Sequence, residues 1–456
     1  MIKATFFPTV LTSLFCLLFL SGCGTGGGGG GTGDDAATSS GGSTGGVVVG
    51  SSGTSTASSG GGSSGSGSST STSTSGADAP VAPEDPGTTS SGGSSGSSVP
   101  SGSSSGSVDI TAAPGTNARV AESVVGESGT SGLFQANVNV TNATSFQSLI
   151  VRGGEVIASF ELQEPGGSVL LSTITNTPPQ TTAFFAGDSP NPLTYPFRGF
   201  DDPVVNGIYR HTGAFGSGGQ GLSYSAILIA KNDQNLDGGS ITVRVLVSNL
   251  NFDPAELTTV LNSAVALFQS IYASIGITLN VSISDIAGAT GIVPNPLVES
   301  AFYLSQTQGR LFELNIFVGE DVSLDGTTTP GNPLPALGVA AAIPGPAVGT
   351  SRSAVAISLN EHAGIDGTFS GAETDLLGET LAHEAGHYLG LFHPVEVPDF
   401  SEGDSLPDTA LCQTIEACRA AGLTANLMFP TPDMGTPQRN LTSQQADVVN
   451  LQLLVD

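Results

Sequence analysis

His383-Glu384-Ala385-Gly386-His387-Tyr388-Leu389-Gly390-Leu391-Phe392-His393 is the stretch on which the reading of this chain turns. On a helix, His383 and His387 project from one face and can share one metal ion. Glu384 lies beside them, placed to take a proton from a metal-bound water. Gly390 is a residue type that can turn the chain sharply after a helix, and that turn returns His393 as a third ligand. Three neutral imidazoles leave a zinc ion its full charge and an open fourth position, which lowers the pKa of a bound water toward about 7. Such a centre suits hydrolysis. Three of the chain's five His lie in these eleven residues. His211 and His362 lie outside the pattern and are read as surface or structural positions.

From about 251 the surroundings are mixed α/β. Asp253-Pro254-Ala255-Glu256 supplies an N-cap, a proline at the first helical position and an acidic third residue. Leu257, Val260, Leu261, Ala264, Phe268, Ile271 and Tyr272 follow at helical spacing, and Gly276 ends the helix. Ile277, Leu279, Val281 and Ile283 alternate as a strand. A second helix–strand pair is expected at 297–308 and 312–318.

These features resemble the metzincin metalloproteases, whose signature H-E-x-x-H-x-x-G-x-x-H matches at His383, Glu384, His387, Gly390 and His393. Asn426-Leu427-Met428 stands where such enzymes have their Met-turn. Within metzincins the chain looks most like the pappalysins, through the run Gly386–His393, Gly403-Asp404, Pro407-Asp408-Thr409 and Leu441-Thr442-Ser443-Gln444-Gln445. The resemblance covers about 251–456. It implies a zincin-type catalytic domain, a mixed sheet with an active-site helix, and one catalytic Zn2+ on His383, His387 and His393. It also implies Glu384 as general base and Met428 beneath the metal. Pappalysins usually carry a Tyr two residues after the Met; here that residue is Pro430. Gly338–Pro344 falls where the family has the edge strand that pairs with extended substrate. An apolar buried strand of no special role is the other reading of it.

Upstream, residues 108–250 differ. Phe134, Ala136, Val138 and Val140 alternate with polar residues, as do Ile241, Val243, Val245 and Val247; Glu155–Leu162, Ser168–Ile174 and Ser225–Ala230 are also strand-like. Period 2 with turn-rich gaps predicts an antiparallel β-sandwich. Before it, Gly, Ser and Thr fill 64 of the 84 positions from 24 to 107. That composition cannot bury enough apolar surface to offset its ordering entropy, so 23–107 is expected as a disordered linker. Residues 1–22 have the layout of a secretory signal: Lys3, then an apolar run from Phe6 to Leu20. The sequence Leu20-Ser21-Gly22-Cys23 resembles the lipobox of bacterial lipoproteins, which implies acylation at Cys23. The whole is therefore expected to be an α+β multidomain chain with a sandwich at 108–250 and a metzincin-like domain at 251–456. It is expected to be exported and lipid-anchored to the bacterial outer membrane or cell surface, or released from it.

Composition narrows the partners. The chain has 456 residues with 11 Lys plus Arg against 39 Asp plus Glu, a net charge of −28. Nucleic acid and anionic membrane surfaces would be repelled, so membrane contact is expected only through the N-terminal lipid. Asp233, Asn235 and Asp237 match the start of a calcium loop, but its twelfth position is Arg244 rather than Glu. A polar hairpin turn and a Ca2+ site both remain open there, and the acidic loop Glu402–Asp408 is a second calcium candidate. In an exported protein, Cys412 and Cys418 favour a disulfide. The function expected is a zinc endopeptidase acting on proteins or peptides outside the cell. The rival is a non-catalytic surface adhesin with a structural zinc, against which Glu384 speaks.

The anchor has a direct test. Cys23→Ser removes the lipid acceptor at that site, so the variant should move to the aqueous phase in detergent partitioning while the wild type stays with detergent.

Overall fold

The computed structural model describes residues 107–456 except 112–118, 130–131, 153–155, 173–185, 189–190, 197, 234–235, 249–250, 286–291, 294–311, 323–335, 351, 365, 398–399, 401–402 and 433–434. The signal segment, Cys23 and all but the last residue of the 23–107 linker lie outside the described residues. So do Asn235, Glu402 and the helix expected at 297–308.

Ten strands form two facing sheets. β1 (Ser107–Thr111), β3 (Leu133–Thr141), β9 (Gly207–Phe215), β5 (Val156–Gln163) and β6 (Val169–Ser172) lie in that order, with β7 (Ala186–Asp188) also paired to β5. The second sheet runs β2 (Arg119–Glu127), β10 (Ser223–Lys231), β4 (Ser145–Val151) and β8 (Asn191–Tyr195). The alternation predicted on β3 holds: Phe134, Ala136, Val138 and Val140 are buried between half-buried neighbours. Val138, Val140, Leu162 and Tyr209 of the first sheet pack on Phe146, Leu193, Leu228 and Ala230 of the second, which makes the pair a sandwich.

Two expectations are corrected. The sandwich is not antiparallel throughout, because β1 runs parallel to β3, with Ser107 beside Asn137. Period 2 tells which residues share a face but not the direction of the neighbouring strand. The strand predicted around 241–247 also joins a different sheet from the other strands of 108–250. Strand β11 (Gly239–Val247) pairs in parallel with β12 (Ile277–Asp285) and β14 (Glu313–Gly319), both in the sheet beneath the metal-site helix. Its alternation was legible; which sheet it joins was not.

That third sheet has the order β12-β11-β14-β17-β16, where β17 is Val355–Ser358 and β16 is Gly338–Ala340. Four strands are parallel and β16 alone is antiparallel, at the edge. A short pair, β13 (Ile292–Val293) with β15 (Asp321–Val322), lies apart. The helices are α1 (Pro254–Ala273), α2 (Asn360–Ala363), α3 (Gly371–Tyr388), α4 (Ile415–Ala420) and α5 (Ser443–Leu451). In α1 the Asp253 side chain accepts from the amides of Ala255 and Glu256, and the predicted apolar stripe is buried. Helix α3 opens with a capping box between Ser370 and Glu373. Leu377, Leu381 and Ala385 of α3 share a core with Leu261 and Phe268 of α1 and with Val243, Ile316 and Ile357 of the sheet. A Cβ at Gly378 would fall 2.8 Å from the Ala264 carbonyl, so glycine sets how closely the two helices cross.

The sandwich and this α/β layer are joined by buried polar groups. Lys231, at the end of β10, is fully buried. Its ammonium donates to the carbonyls of Asn450, Gln452 and Val455 at 3.0 to 3.3 Å and lies 3.3 Å from the Asp233 carboxylate. It thereby caps the C-terminal end of α5, where a positive charge is favoured. Leu149 and Ile229 of the sandwich pack with Ala347, Val348 and Leu453 alongside.

His211 joins the two sandwich sheets. Its Nδ1 is 2.8 Å from Ser148 Oγ and its Nε2 2.9 Å from Ser159 Oγ, and it is structural rather than on the surface. Burial lowers its pKa from 6.5 to about 4. The folded value lies below the unfolded one, so this contribution to stability is full above about pH 6.5 and is lost as the pH falls toward 4. The loss approaches about 3 kcal/mol. In denaturant titrations from pH 7 to 4, His211→Asn should lose correspondingly less stability than the wild type over that window.

Candidate metal centre

From Leu377 to Tyr388 helix α3 is buried on every side, although the segment contains Glu379, Thr380, His383, Glu384 and His387. A helix sunk in the protein is ordinarily apolar all round. Buried ionisable groups on such a helix are expensive unless they serve one another or a ligand.

Two of them, His383 and His387, meet His393. The metal-ligating atoms of His383, His387 and His393 all lie within 4.8 Å of one another, and among the described residues this is the cluster of His, Cys, Asp or Glu able to share an ion. The Nε2 atoms of His387 and His393 are 3.1 Å apart, and those of His393 and His383 3.3 Å. Each ring is oriented from behind. His383 Nδ1 donates to the Leu427 carbonyl at 2.7 Å, and His387 Nδ1 to the Leu391 carbonyl at 2.8 Å. His393 Nδ1 faces both oxygens of Glu396 at 3.1 and 3.2 Å. Those oxygens accept, so each Nδ1 carries a proton and each ring turns its Nε2 to the shared centre. Burial, followed by the neighbouring imidazoles, pushes the pKa of His383 down to about 3 and that of His387 well below 6.5. Both rings are therefore neutral, as metal ligands must be. The donor set fits zinc.

The helix end builds this arrangement locally. Gly390 has φ +89°. Its amide bonds the His387 carbonyl and the Leu391 amide bonds the Gly386 carbonyl, both at 2.9 Å. This is the Schellman stop, and Gly supplies its left-handed residue. The same stop places the Leu391 carbonyl where it orients His387 and sends the chain back toward His393.

Met428 is fully buried. A Cβ at Gly386 would fall 2.5 Å from its sulfur, so a glycine between the two helical ligands lets the Met seat against the helix. Asn426 fixes the turn by accepting the Met428 amide at 2.9 Å and donating to Gln445 of α5 at 2.8 Å. Gln445 in turn donates toward Asp404 at 3.4 Å. Pro430 is buried and offers no hydroxyl to the site. Glu384 is buried, and Gly338 of β16 lies directly against it: a Cβ there would fall 2.7 Å from Glu384 Cγ. The metal-site helix and the sheet edge thus meet at the glutamate. β16 is the last strand of that sheet among the described residues, and Val339 and Ala340 are half-buried on it.

The remaining candidates fall elsewhere. His362 is buried and structural, with Nε2 2.9 Å from Thr380 Oγ1. Asp233 faces Lys231, and Asp237 belongs to no group of three able to share an ion among the described residues. In the acidic loop, Asp404 accepts from Thr409 Oγ1 and the Leu406 amide, while Asp408 accepts from Thr442, Ser443 and the Gln444 amide at the start of α5. Cys412 and Cys418 are disulfide-bonded and pack with Val395, Leu423 and Phe429, so the bond braces the segment between His393 and Met428. Sequence reasoning missed Glu396. An acidic residue three positions after a candidate ligand was the available signal.

No protein-family model matches the chain, and no curated protein matches it. Among solved structures, the chain is similar to metalloproteinase-II from Bacteroides fragilis at 11% identity, over 49% of this chain and 62% of that one, with TM-score 0.28. The chain thus spans less than two thirds of that protein. It is also similar to a zinc-dependent peptidase from Methanocorpusculum labreanum at 14% identity, over 34% of this chain and 85% of that one, with TM-score 0.24. A family two carbohydrate esterase from Cellvibrio japonicus matches at 9% identity, over 44% of this chain and 67% of that one, with TM-score 0.14. Scores this low assign no fold, and the chemistry of the site rests on its own residues.

Glu396 gives the second test. Removing the carboxylate behind His393 should weaken zinc binding about 10-fold or more in Glu396→Ala, with Glu396→Gln falling between that variant and the wild type because it keeps an acceptor. Competition with a chromogenic chelator measures it; equal affinity in all three would show that His393 needs no carboxylate.

Proposed function

We propose that this chain is a zinc-dependent endopeptidase of metzincin type, most similar to the pappalysins, that hydrolyses proteins or peptides outside the cell. The observation that carries the reading is the convergence of three imidazole Nε2 atoms beside a buried glutamate, at the edge of a sheet. A purely structural zinc would usually have a fourth protein ligand and no need of that carboxylate.

His383, His387 and His393 would hold the ion. When bound, zinc acts as a Lewis acid that lowers the pKa of a water toward about 7 and polarises a carbonyl. The protein's own groups do the rest. An extended substrate would lie along β16 and gain main-chain hydrogen bonds there, which presents its scissile carbonyl to Glu384. Glu384 takes a proton from the attacking water as the new C–O bond forms. The same carboxyl then delivers that proton to the amine nitrogen as the C–N bond breaks. Burial of Glu384 beside Gly338 keeps bulk water from competing for the proton. Met428 does no chemistry; it fills the space below the ligands. The proposal extends to location: an exported protein held at the bacterial outer membrane or cell surface by a lipid on Cys23, with no nucleic-acid partner.

Glu384→Ala leaves all three ligands in place. Zinc should stay near one per chain and thermal stability should hardly change, while peptide hydrolysis should fall at least about 10²-fold. His387→Ala should lose zinc as well as activity. Peptidase activity retained in Glu384→Ala would sink the mechanism, and a zinc-loaded wild type inactive on a broad peptide library would sink the function.

A further inference from the structure

One sheet of the sandwich grips the catalytic layer on both sides of the site. On one side Lys231 caps α5, whose Gln445 holds Asn426 of the Met-turn. On the other side stands Gln147, on β4, with only 1% of its surface exposed. Its amide nitrogen donates to the Gly345 carbonyl at 3.0 Å and to Thr194 Oγ1 at 3.1 Å, and its oxygen accepts from the Ala347 amide at 2.9 Å. Both amide hydrogens are spent. Opposed bonds to a carbonyl and an amide two residues apart imitate the pairing of a neighbouring strand.

The clamped segment continues directly from β16. It is pinned from the opposite side by α3, because the Gly345 amide donates to the Tyr388 carbonyl at 2.8 Å and the Tyr388 hydroxyl donates to the Pro346 carbonyl at 2.7 Å. Tyr388 follows His387. Gly345 lies so close that a Cβ there would fall 2.2 Å from the Tyr388 ring. Beyond it, Ala347 and Val348 pack on Leu149 and Ile229 of the sandwich.

We infer that Gln147 is a positioning residue for substrate binding, through which the sandwich fixes the strand edge that receives the peptide. The inference rests on the peptidase reading. β16 is three residues long and pairs only with β17 among the described residues, through Gly338 with Ile357, Val339 with Ala356 and Ala340 with Val355. The pairing continues at both ends, from the Ser358 amide to the Leu337 carbonyl at 2.9 Å and from the Ala341 amide to the Ala354 carbonyl at 3.1 Å, so the strand itself is held by the sheet. Gln147 holds the segment that leaves it, where any freedom would have to be given up on binding and would be subtracted from affinity. The sandwich is then part of the peptidase's binding apparatus and not a separable module.

The test compares full-chain wild type, Gln147→Met and Thr194→Val. The methionine keeps the volume and loses both clamp bonds; the valine removes only the third bond of Gln147. Gln147→Met should speed hydrogen exchange at 338–348, raise KM about 10-fold as expected for two buried hydrogen bonds, and leave kcat and zinc content within about 2-fold. Thr194→Val should match the wild type in all four. Unchanged exchange in Gln147→Met overturns the clamp. Faster exchange with a wild-type KM overturns its role in binding. A joint fall of kcat and zinc content marks a merely structural residue and also overturns it. A wild type inactive on every peptide overturns the peptidase reading itself, and is distinguishable because it appears before any substitution.

Discussion

Three imidazole Nε2 atoms turned to the same small space set the terms for the rest of the α/β layer. With every Nδ1 committed to an oxygen behind its ring, these nitrogens meet at 3.1 and 3.3 Å. A divalent metal held by all three would add its binding energy to the stability of the fold around it.

The supports of those rings come from different parts of the chain, and each is a backbone device with a second use. The Schellman stop ends α3 and also aims the Leu391 carbonyl at His387. The turn at Asn426–Met428 seats a sulfur against Gly386 and also aims the Leu427 carbonyl at His383. His393 is oriented by a side chain, Glu396, which is one-third exposed and sits outside the helix. Rigidity therefore falls from the two helical ligands to the third. The disulfide of Cys412 with Cys418, packed on Val395 near that third ligand, reinforces the less rigid side.

Much of the site was legible in the sequence because its chemistry is local. Five fixed letters within eleven residues put His383 and His387 on one helical face, Glu384 beside them and a turn at Gly390. Helix α1 was equally legible, since an Asp cap, a Pro and a repeating apolar stripe agree with one another. What escaped depends on distant backbone. Gln147 meets carbonyl and amide groups 198 and 200 residues away, and Lys231 meets carbonyls 219 to 224 residues away. No residue type at the far end marks such a contact, because a backbone carbonyl is the same at every position. The assignment of β11 failed for a related reason: alternation records one covered face, not the identity of what covers it.

The choice of Lys and Gln at the junction has a mechanical consequence. Apolar surfaces such as Leu149 against Val348 tolerate sliding, since their attraction hardly depends on register. A fully buried ammonium does not. Lys231 keeps its three carbonyl partners only while Asn450, Gln452 and Val455 stay in place, and separating the layers would forfeit all three bonds and leave it with Asp233. Gln147 imposes the same condition on Gly345 and Ala347. Movement of the sandwich is thereby coupled to α5 and to the strand edge at once. The turn at Met428, reached through Gln445 of α5, and the segment that follows β16 are thus held against a common reference.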